Sequence, residues 1–364
     1  MSMWKIFPTK AAFLAACATM EPVAASEDFQ LRYNLAGSLG GELFAPRDQT
    51  GWAGGLAATY MDIDQVTGND GHGLTRLLPG GTMQLPNVPP PLHPNYGPSV
   101  AQITGTGKMK QTNLALGYVT KERFGDGRLV FLLNLPFSRK IQRFGAAGVA
   151  PELSWNPAVR GPARVAAATV FADQYQAALG SQAQEASGQV TGIGDAELQA
   201  GWLHIRNKLR VLGGASIVLP SGKYSSSSGP DIGYGNYYTF RPAVQATYLL
   251  TPAVAISGKL TWAVNTRNRD NQLRSGNWAG LELAAGYRTP VGVLGVHGLR
   301  VQQHQDDSNN PWGSSRLWST NMGVFFTTKL EAIDAAITAQ YMATTDSRNS
   351  KHGSFSQLRM IKFF

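Results

Sequence analysis

From about residue 200 to Phe364, apolar and polar residues alternate in runs that recur roughly every ten residues. In one such run Val254, Ile256, Gly258, Leu260, Trp262 and Val264 are apolar or glycine, and Ala255, Ser257, Lys259, Thr261, Ala263 and Asn265 lie between them. An extended strand of this pattern sets one face against an apolar medium and the other against water. The preceding run repeats it, with Phe240, Val244, Ala246, Tyr248 and Leu250 on one face and Thr239, Arg241, Gln245 and Thr247 on the other. A soluble sandwich alternates as well, so aromatic placement has to decide. Trp52 and Tyr60, Leu129 and Phe137, and Trp318 and Phe326 bracket apolar faces eight residues apart, roughly 27 Å along a strand and close to the separation of two membrane interfaces. The pattern predicts an all-β fold, a single-chain transmembrane antiparallel β-barrel.

Counting by period two predicts twelve strands, near 51–61, 109–120, 127–137, 194–205, 209–219, 237–250, 254–265, 276–288, 291–303, 315–328, 333–344 and 354–364. An even number is what a closed single-chain bacterial barrel requires. The connectors alternate in length. Those at 206–208, 251–252, 289–290 and 329–332 are short; those at 62–108, 138–193, 220–236, 266–275, 304–314 and 345–353 are long. Short turns belong in the periplasm and long loops outside, which places both chain ends on the periplasmic side. The barrel is therefore expected over 51–364, with large exterior loops at 62–108 and 138–193 and a periplasmic N-terminal segment at 26–50. The first large loop is proline-rich. The second holds a helical pattern, opened by Pro162, with Val165, Ala168, Phe171, Ala172 and Tyr175 spaced along it. It is expected either to cover a loop or to constrict the mouth.

Residues 1–25 read as a cleaved signal peptide: Lys5 and Lys10, an apolar stretch from Ala11 to Met20, then small residues before Ser26. The pattern Leu14-Ala15-Ala16-Cys17 is also compatible with a lipid-modified cysteine. The sole cysteine lies in this region, so the remaining chain has no thiol with which to form a disulfide or bind a metal. The chain carries a net charge of +9. Its basic residues are dispersed and no recognition motif accompanies them, so nucleic acid is not the expected partner. A basic exterior facing outer-membrane lipid and lipopolysaccharide explains the charge instead.

No catalytic or cofactor signature emerges. The six histidines, at 72, 93, 204, 297, 304 and 352, show no metal-ligand spacing. The glycine pairs near 192 and 233 lack the third glycine of a dinucleotide loop. No cofactor and no enzymatic activity are expected, although a barrel enzyme acting on lipid and a plugged structural or receptor barrel are the rival readings. The informative polar residues are those the alternation projects inward: Asp195, Glu197, Arg210, Arg241, Lys259, Glu282 and Arg288. Facing lipid they would cost a few kcal/mol each near the midplane. Inside, they either pair and stiffen the lumen or line a solute path.

Gly192-Ile193-Gly194-Asp195, Leu219-Pro220-Ser221-Gly222-Lys223-Tyr224, Gly276 to Glu282 and Gln302 to Asp307 follow one another in an order that resembles the outer-membrane proteins linked to the meta-cleavage pathway of phenol degradation. The resemblance spans about 190–364, with further support from Gln111 to Phe137. Two departures are the length of the 138–189 loop and Lys362 in the last strand. The resemblance implies localisation in the outer membrane of a Gram-negative bacterium and a channel for small hydrophobic or aromatic molecules. In that reading Tyr96, Trp155 and Tyr175 offer the solute a first aromatic contact. The strand ending at Phe364 would address the barrel-assembly machinery.

Overall fold

The computed structural model describes residues 31, 32, 39, 43, 44, 49–159, 161–226, 229–310 and 315–364; residues 1–25 lie outside that set. In chain order the elements are β1 (Gly51–Val66), β2 (Thr75–Leu78), β3 (Gly81–Thr82), β4 (Asn95–Tyr96), β5 (Ser99–Val119), β6 (Gly127–Gly148), β7 (Leu153–Ser154), helix α1 (Gly161–Glu185), β8 (Gly188–Ile193), β9 (Glu197–Arg206), β10 (Leu209–Val218), β11 (Thr239–Leu249), β12 (Val254–Asn265), β13 (Trp278–Thr289), β14 (Gly292–Gln303), β15 (Trp318–Leu330), β16 (Ala335–Arg348) and β17 (Lys351–Phe363).

Twelve of these strands form a closed antiparallel barrel: β1, β5, β6, and β9 to β17 without interruption. Closure is made by β1 on β17, from Ala53 opposite Phe363 to Val66 opposite Lys351. Phe364 adds one bond, its N–H donating to the Trp52 carbonyl at 2.9 Å. Closure removes the sheet edges that a membrane would leave unsatisfied. The outward face is greasy: Leu114, Phe131, Val244, Leu260, Leu283, Val296, Val324 and Leu358 are all exposed. Trp52 packs at 5.0 Å from Tyr118 at the periplasmic rim, while Tyr60, Phe137 and Trp262 mark the outer interface.

Several strands run further than the alternation predicts. β1 reaches Val66 and β5 begins at Ser99, so the first large connector is 67–98; β6 extends to Gly148. The exterior connection expected at 345–353 is a two-residue turn, Asn349-Ser350, with Asn349 in the left-handed region at φ 46°. The reason is physical. Beyond the bilayer the outward face no longer has to be apolar, so hydrophobic alternation fades while backbone pairing continues.

β8 and β9 share one barrel position. β8 pairs with the outer part of β6 through Phe137–Gln142, and β9 with the inner part through Gly127–Asn134. The ladder breaks between them where Pro136, lacking an N–H, faces Gly194; there the Gly194 N–H still donates to the Pro136 carbonyl at 2.8 Å. Helix α1 lies on the lumen side of the projecting β5–β6 hairpin. Its buried stripe is Ala167, Phe171, Tyr175, Leu179 and Ala183, one residue every turn, and it packs with Leu78, Met83 and Ala101. Val165, expected on that stripe, is exposed.

Candidate lumen site

The structure places the seven residues named from the alternation in distinct settings. Asp195 sits at the ladder break, nearly buried, where Gly194 holds the chain against Pro136. Its carboxylate accepts from the Gly222 N–H and the Tyr234 N–H, each at 3.0 Å. It also accepts from Arg32 Nε at 2.9 Å. Glu197 forms a buried ion pair with Arg241. Arg241 Nε reaches Ser216 Oγ at 3.3 Å, and its Nη1 reaches the Arg32 carbonyl at 3.3 Å. On the neighbouring strands Lys259 stands directly opposite Glu282 on one side and Gln245 on the other. Arg288 and Arg210 lie near the periplasmic mouth; Arg288 lays its guanidinium 4.4 Å from the centre of the Phe44 ring.

Arg32 and Phe44 belong to the segment expected in the periplasm. Of its described residues, Leu31, Arg32, Leu39, Leu43 and Phe44 lie instead inside the barrel. Leu31 packs on Trp278, Val301, Met342 and Phe355 toward the outer end. Leu39 and Leu43 pack on Ala255, Ala284 and Phe325 in the periplasmic half. The Arg32 guanidinium lies 3.9 Å from the Tyr237 ring centre and donates to the carbonyls of Gly235 (2.7 Å) and Tyr237. The strands give the physical reason. β13 to β17 carry large apolar residues on their inner faces as well as their outer ones, and an open watery lumen would leave those inner residues wet. Leucines of the same chain cover them.

The inner wall is therefore two-sided. From β13 to β17 it presents the apolar strip that Leu31, Leu39 and Leu43 cover. Around β1, β5 and β6, and reaching Gln357 of β17 and Gln340 of β16 beside the strip, it is a hydrogen-bonded polar surface: Gln340 donates to Gln357 (2.9 Å), Gln357 to Thr59 (2.8 Å), Gln111 to Asn113 (2.8 Å) and Asn113 to Asn134 (3.1 Å). At the periplasmic mouth Leu43, Phe44, Arg210, Leu249 and Arg288 line a cavity of about 390 Å³.

Above the membrane the outer vestibule contains a second charged group. Lys140, three residues past Phe137, donates to the Asp231 carbonyl at 3.1 Å. Burial, with Lys351 nearby, pulls the Lys140 ammonium down to about 7, and Asp231 acts weakly the other way. Burial pushes the Asp231 carboxyl up to about 6 and the Lys351 ammonium down to about 8.

The landmark residues of the sequence fold the outer rim. Gln303 Nε2 donates to Asp307 Oδ1 at 2.8 Å and the Gly276 N–H donates to the same oxygen at 2.7 Å. A Cβ at Gly276 would lie 1.8 Å from the Gln305 carbonyl oxygen, and one at Gly222 would lie 2.6 Å from Gly233 Cα. Tyr96, Trp155 and Tyr175 pack around α1, with Tyr96 5.0 Å from Phe171.

A family model described as the putative MetA-pathway of phenol degradation matches residues 93–360. The chain belongs to that family. A comparison with curated proteins finds no match. The fold is similar to that of the COG4313 outer membrane channel from Pseudomonas putida F1, at 14% identity and a TM-score of 0.61, covering 91% of this chain and 100% of that one. Weaker likenesses include the β domain of the Bordetella autotransporter BrkA (9% identity, TM-score 0.42, 86% and 99% covered) and the CymD monoaromatic hydrocarbon channel (12%, 0.37, 94% and 97%). Family and fold together place this member in the outer membrane.

Proposed function

We propose that the protein is an outer-membrane channel for small hydrophobic, aromatic molecules, serving the catabolism of such compounds. The observation that carries this reading is the apolar strip on the inner wall. A water-filled porin interior is polar, whereas here Trp278, Leu299, Val301, Met342 and Phe355 face inward beneath Leu31. The leucines of the N-terminal segment stand where an apolar solute would bind. Family membership supports the link to phenol breakdown, and the outer-membrane channel from Pseudomonas putida supports conduction. Asp195, Glu197, Arg210, Arg241, Lys259, Glu282 and Arg288 line the lumen, with the first two and Arg241 holding the segment that narrows it.

The solute leaves sideways in this reading. Between β11 and β12 the register omits Arg241 opposite Ala263 and Pro242 opposite Trp262, and Pro242 has no N–H to offer. The two missing pairs lie beside Trp262 at the outer aromatic level. Residues 1–25 serve as the export signal and the last strand as the address for barrel assembly. The chain is read as non-catalytic. A lipid-directed enzyme needs serine and histidine in contact at the rim, whereas His304 packs against Trp262 in a tilted ring pair and His352 pairs with Asp64.

The test is solute entry into proteoliposomes for wild type and for Val301→Thr with Met342→Gln, changes that wet the strip at nearly constant size. The proposal expects slower aromatic entry with unchanged ion conductance. Unchanged aromatic entry would remove the strip from the path.

A further inference from the structure

The outward face of the β5–β6 hairpin changes character abruptly above the membrane. Up to Phe137 on β6, Leu114 on β5 and Ile193 on β8 it is apolar and exposed. Beyond them, with Thr112, Thr106 and Ile141 interspersed, the outward positions hold Lys110, Lys108, Arg139 and Arg143, all exposed. The register makes them one cluster. Lys110 stands directly opposite Arg139; Ile141 and Arg143 face Lys108 and Thr106, so Lys108 is diagonal to both arginines. Directly opposed side chains have Cβ atoms about 5 Å apart and diagonal ones about 7–8 Å. Like charges so placed on a bare sheet repel and destabilise it.

The protein sets at most one carboxylate, Asp62, against the four cations. Among the described residues none of the four cations forms an ion pair. The nearest outward carboxylates are on β1: Asp62 faces Lys108 in the register and accepts from the Tyr60 hydroxyl at 3.5 Å, and Asp64 is taken by His352 at 2.9 Å. Arg139 spends one N–H on Gln189, at 3.3 Å. Helix α1 packs on the opposite, lumen-side face of this hairpin, so the cationic face is open.

We infer that Lys108, Lys110, Arg139 and Arg143 form a binding site for the phosphates of an outer-leaflet lipopolysaccharide molecule. This site rests on the outer-membrane reading and needs no transport activity. Two phosphate groups match four cations, and arginine favours the bidentate geometry a phosphate offers. The acyl chains of the same molecule lie along Leu114, Phe137 and Ile193 directly below. A free phosphate satisfies the charges and leaves the apolar wall uncovered; a lipid with several phosphates above several chains satisfies both. Bound there, it ties the long hairpin that supports α1 to the leaflet surface.

The experiment uses the refolded full-length protein in detergent, with the thermal midpoint of barrel unfolding read by gel mobility as lipid is added. The probes are bisphosphorylated lipid A, the same lipid dephosphorylated, and inorganic phosphate alone. The variants are K108Q/K110Q/R139Q/R143Q and a control, K121Q/R123Q/R206Q, which removes cations from the periplasmic turns. Wild type and control are expected to be stabilised by bisphosphorylated lipid A at concentrations about tenfold or more below those the quadruple variant needs. Dephosphorylated lipid A is expected to act equally and weakly on all three, and inorganic phosphate on none. Equal losses in control and quadruple variant would reduce the effect to bulk charge and overturn the site. Full stabilisation by inorganic phosphate would assign the cluster to a free anion instead of a lipid. Because the quadruple change relieves repulsion, its lipid-free midpoint is expected at or above that of wild type, so a folding defect would show before lipid is added.

Discussion

Arg32 Nε donates to Asp195 Oδ2 at 2.9 Å across 163 positions of sequence, with both side chains almost wholly buried. This bond fastens the N-terminal segment to the barrel wall at the place where Pro136 and Gly194 interrupt the sheet. The guanidinium also satisfies two loop carbonyls and lies on Tyr237. Removing one member of such a pair strands the other and costs about 3–5 kcal/mol.

Arg32→Ala is therefore expected to release Leu31 from its apolar seat while the twelve-strand ladder stays closed. Planar-bilayer recordings should show larger or more frequent openings than wild type. Identical traces from the two proteins would mean that Arg32 does not hold the constriction.

Pro242 tests the sideways exit. Pro242→Ala returns an N–H at the point where the β11–β12 register skips two pairs. A closed ladder is expected to slow entry of a hydrophobic solute and leave ion conductance unchanged. If solute entry keeps its wild-type rate, the exit lies along the barrel axis.

The outer vestibule has a pH dependence of defined sign. The folded Lys140 ammonium is pulled down to about 7 and that of Lys351 to about 8, both below the 10.5 of an exposed lysine. Between those values and 10.5 the unfolded chain holds more protons, so stability rises with pH there, by at most about 1.4 kcal/mol per pH unit for each proton. Asp231, pushed up to about 6 from 3.8, acts oppositely: its contribution falls as pH rises from 3.8 to 6. The wild-type unfolding midpoint is expected to climb from pH 7 to pH 9, and Lys140→Met to climb less. Parallel curves would assign the titration elsewhere.

Gly276 is fixed by contact: a methyl group there would collide with the Gln305 carbonyl oxygen. Gly276→Ala is expected to lower rim stability by about 2 kcal/mol or more. Loss of the heat-modifiable band at a lower temperature than wild type would show it; a variant as stable as wild type would mean the rim shifts freely.

The barrel was legible because a bilayer imposes period two on every strand, and the twelve strands and their inward charges follow from that alone. Strand ends were not, because Ser99 to Lys108 and Ser138 to Gly148 pair outside the bilayer, where no apolar face is demanded. The occupied lumen was half legible. Trp278, Leu299, Val301 and Met342 show apolar residues on the inner face of strands that are also apolar outside, which signals a cover. Nothing in the period identifies that cover as Leu31, Leu39 and Leu43, since a chain segment of irregular structure carries no repeat. Arg32 was hidden for the same reason: only the fold brings it to Asp195.

The most direct measurement is the initial rate of entry of a labelled small aromatic and of a small sugar into proteoliposomes whose outer leaflet is lipopolysaccharide, with protein-free vesicles as baseline. A channel with an apolar inner strip predicts aromatic entry well above baseline, faster still in Arg32→Ala, with sugar entry close to baseline in wild type. Aromatic entry at baseline in both proteins would contradict the account.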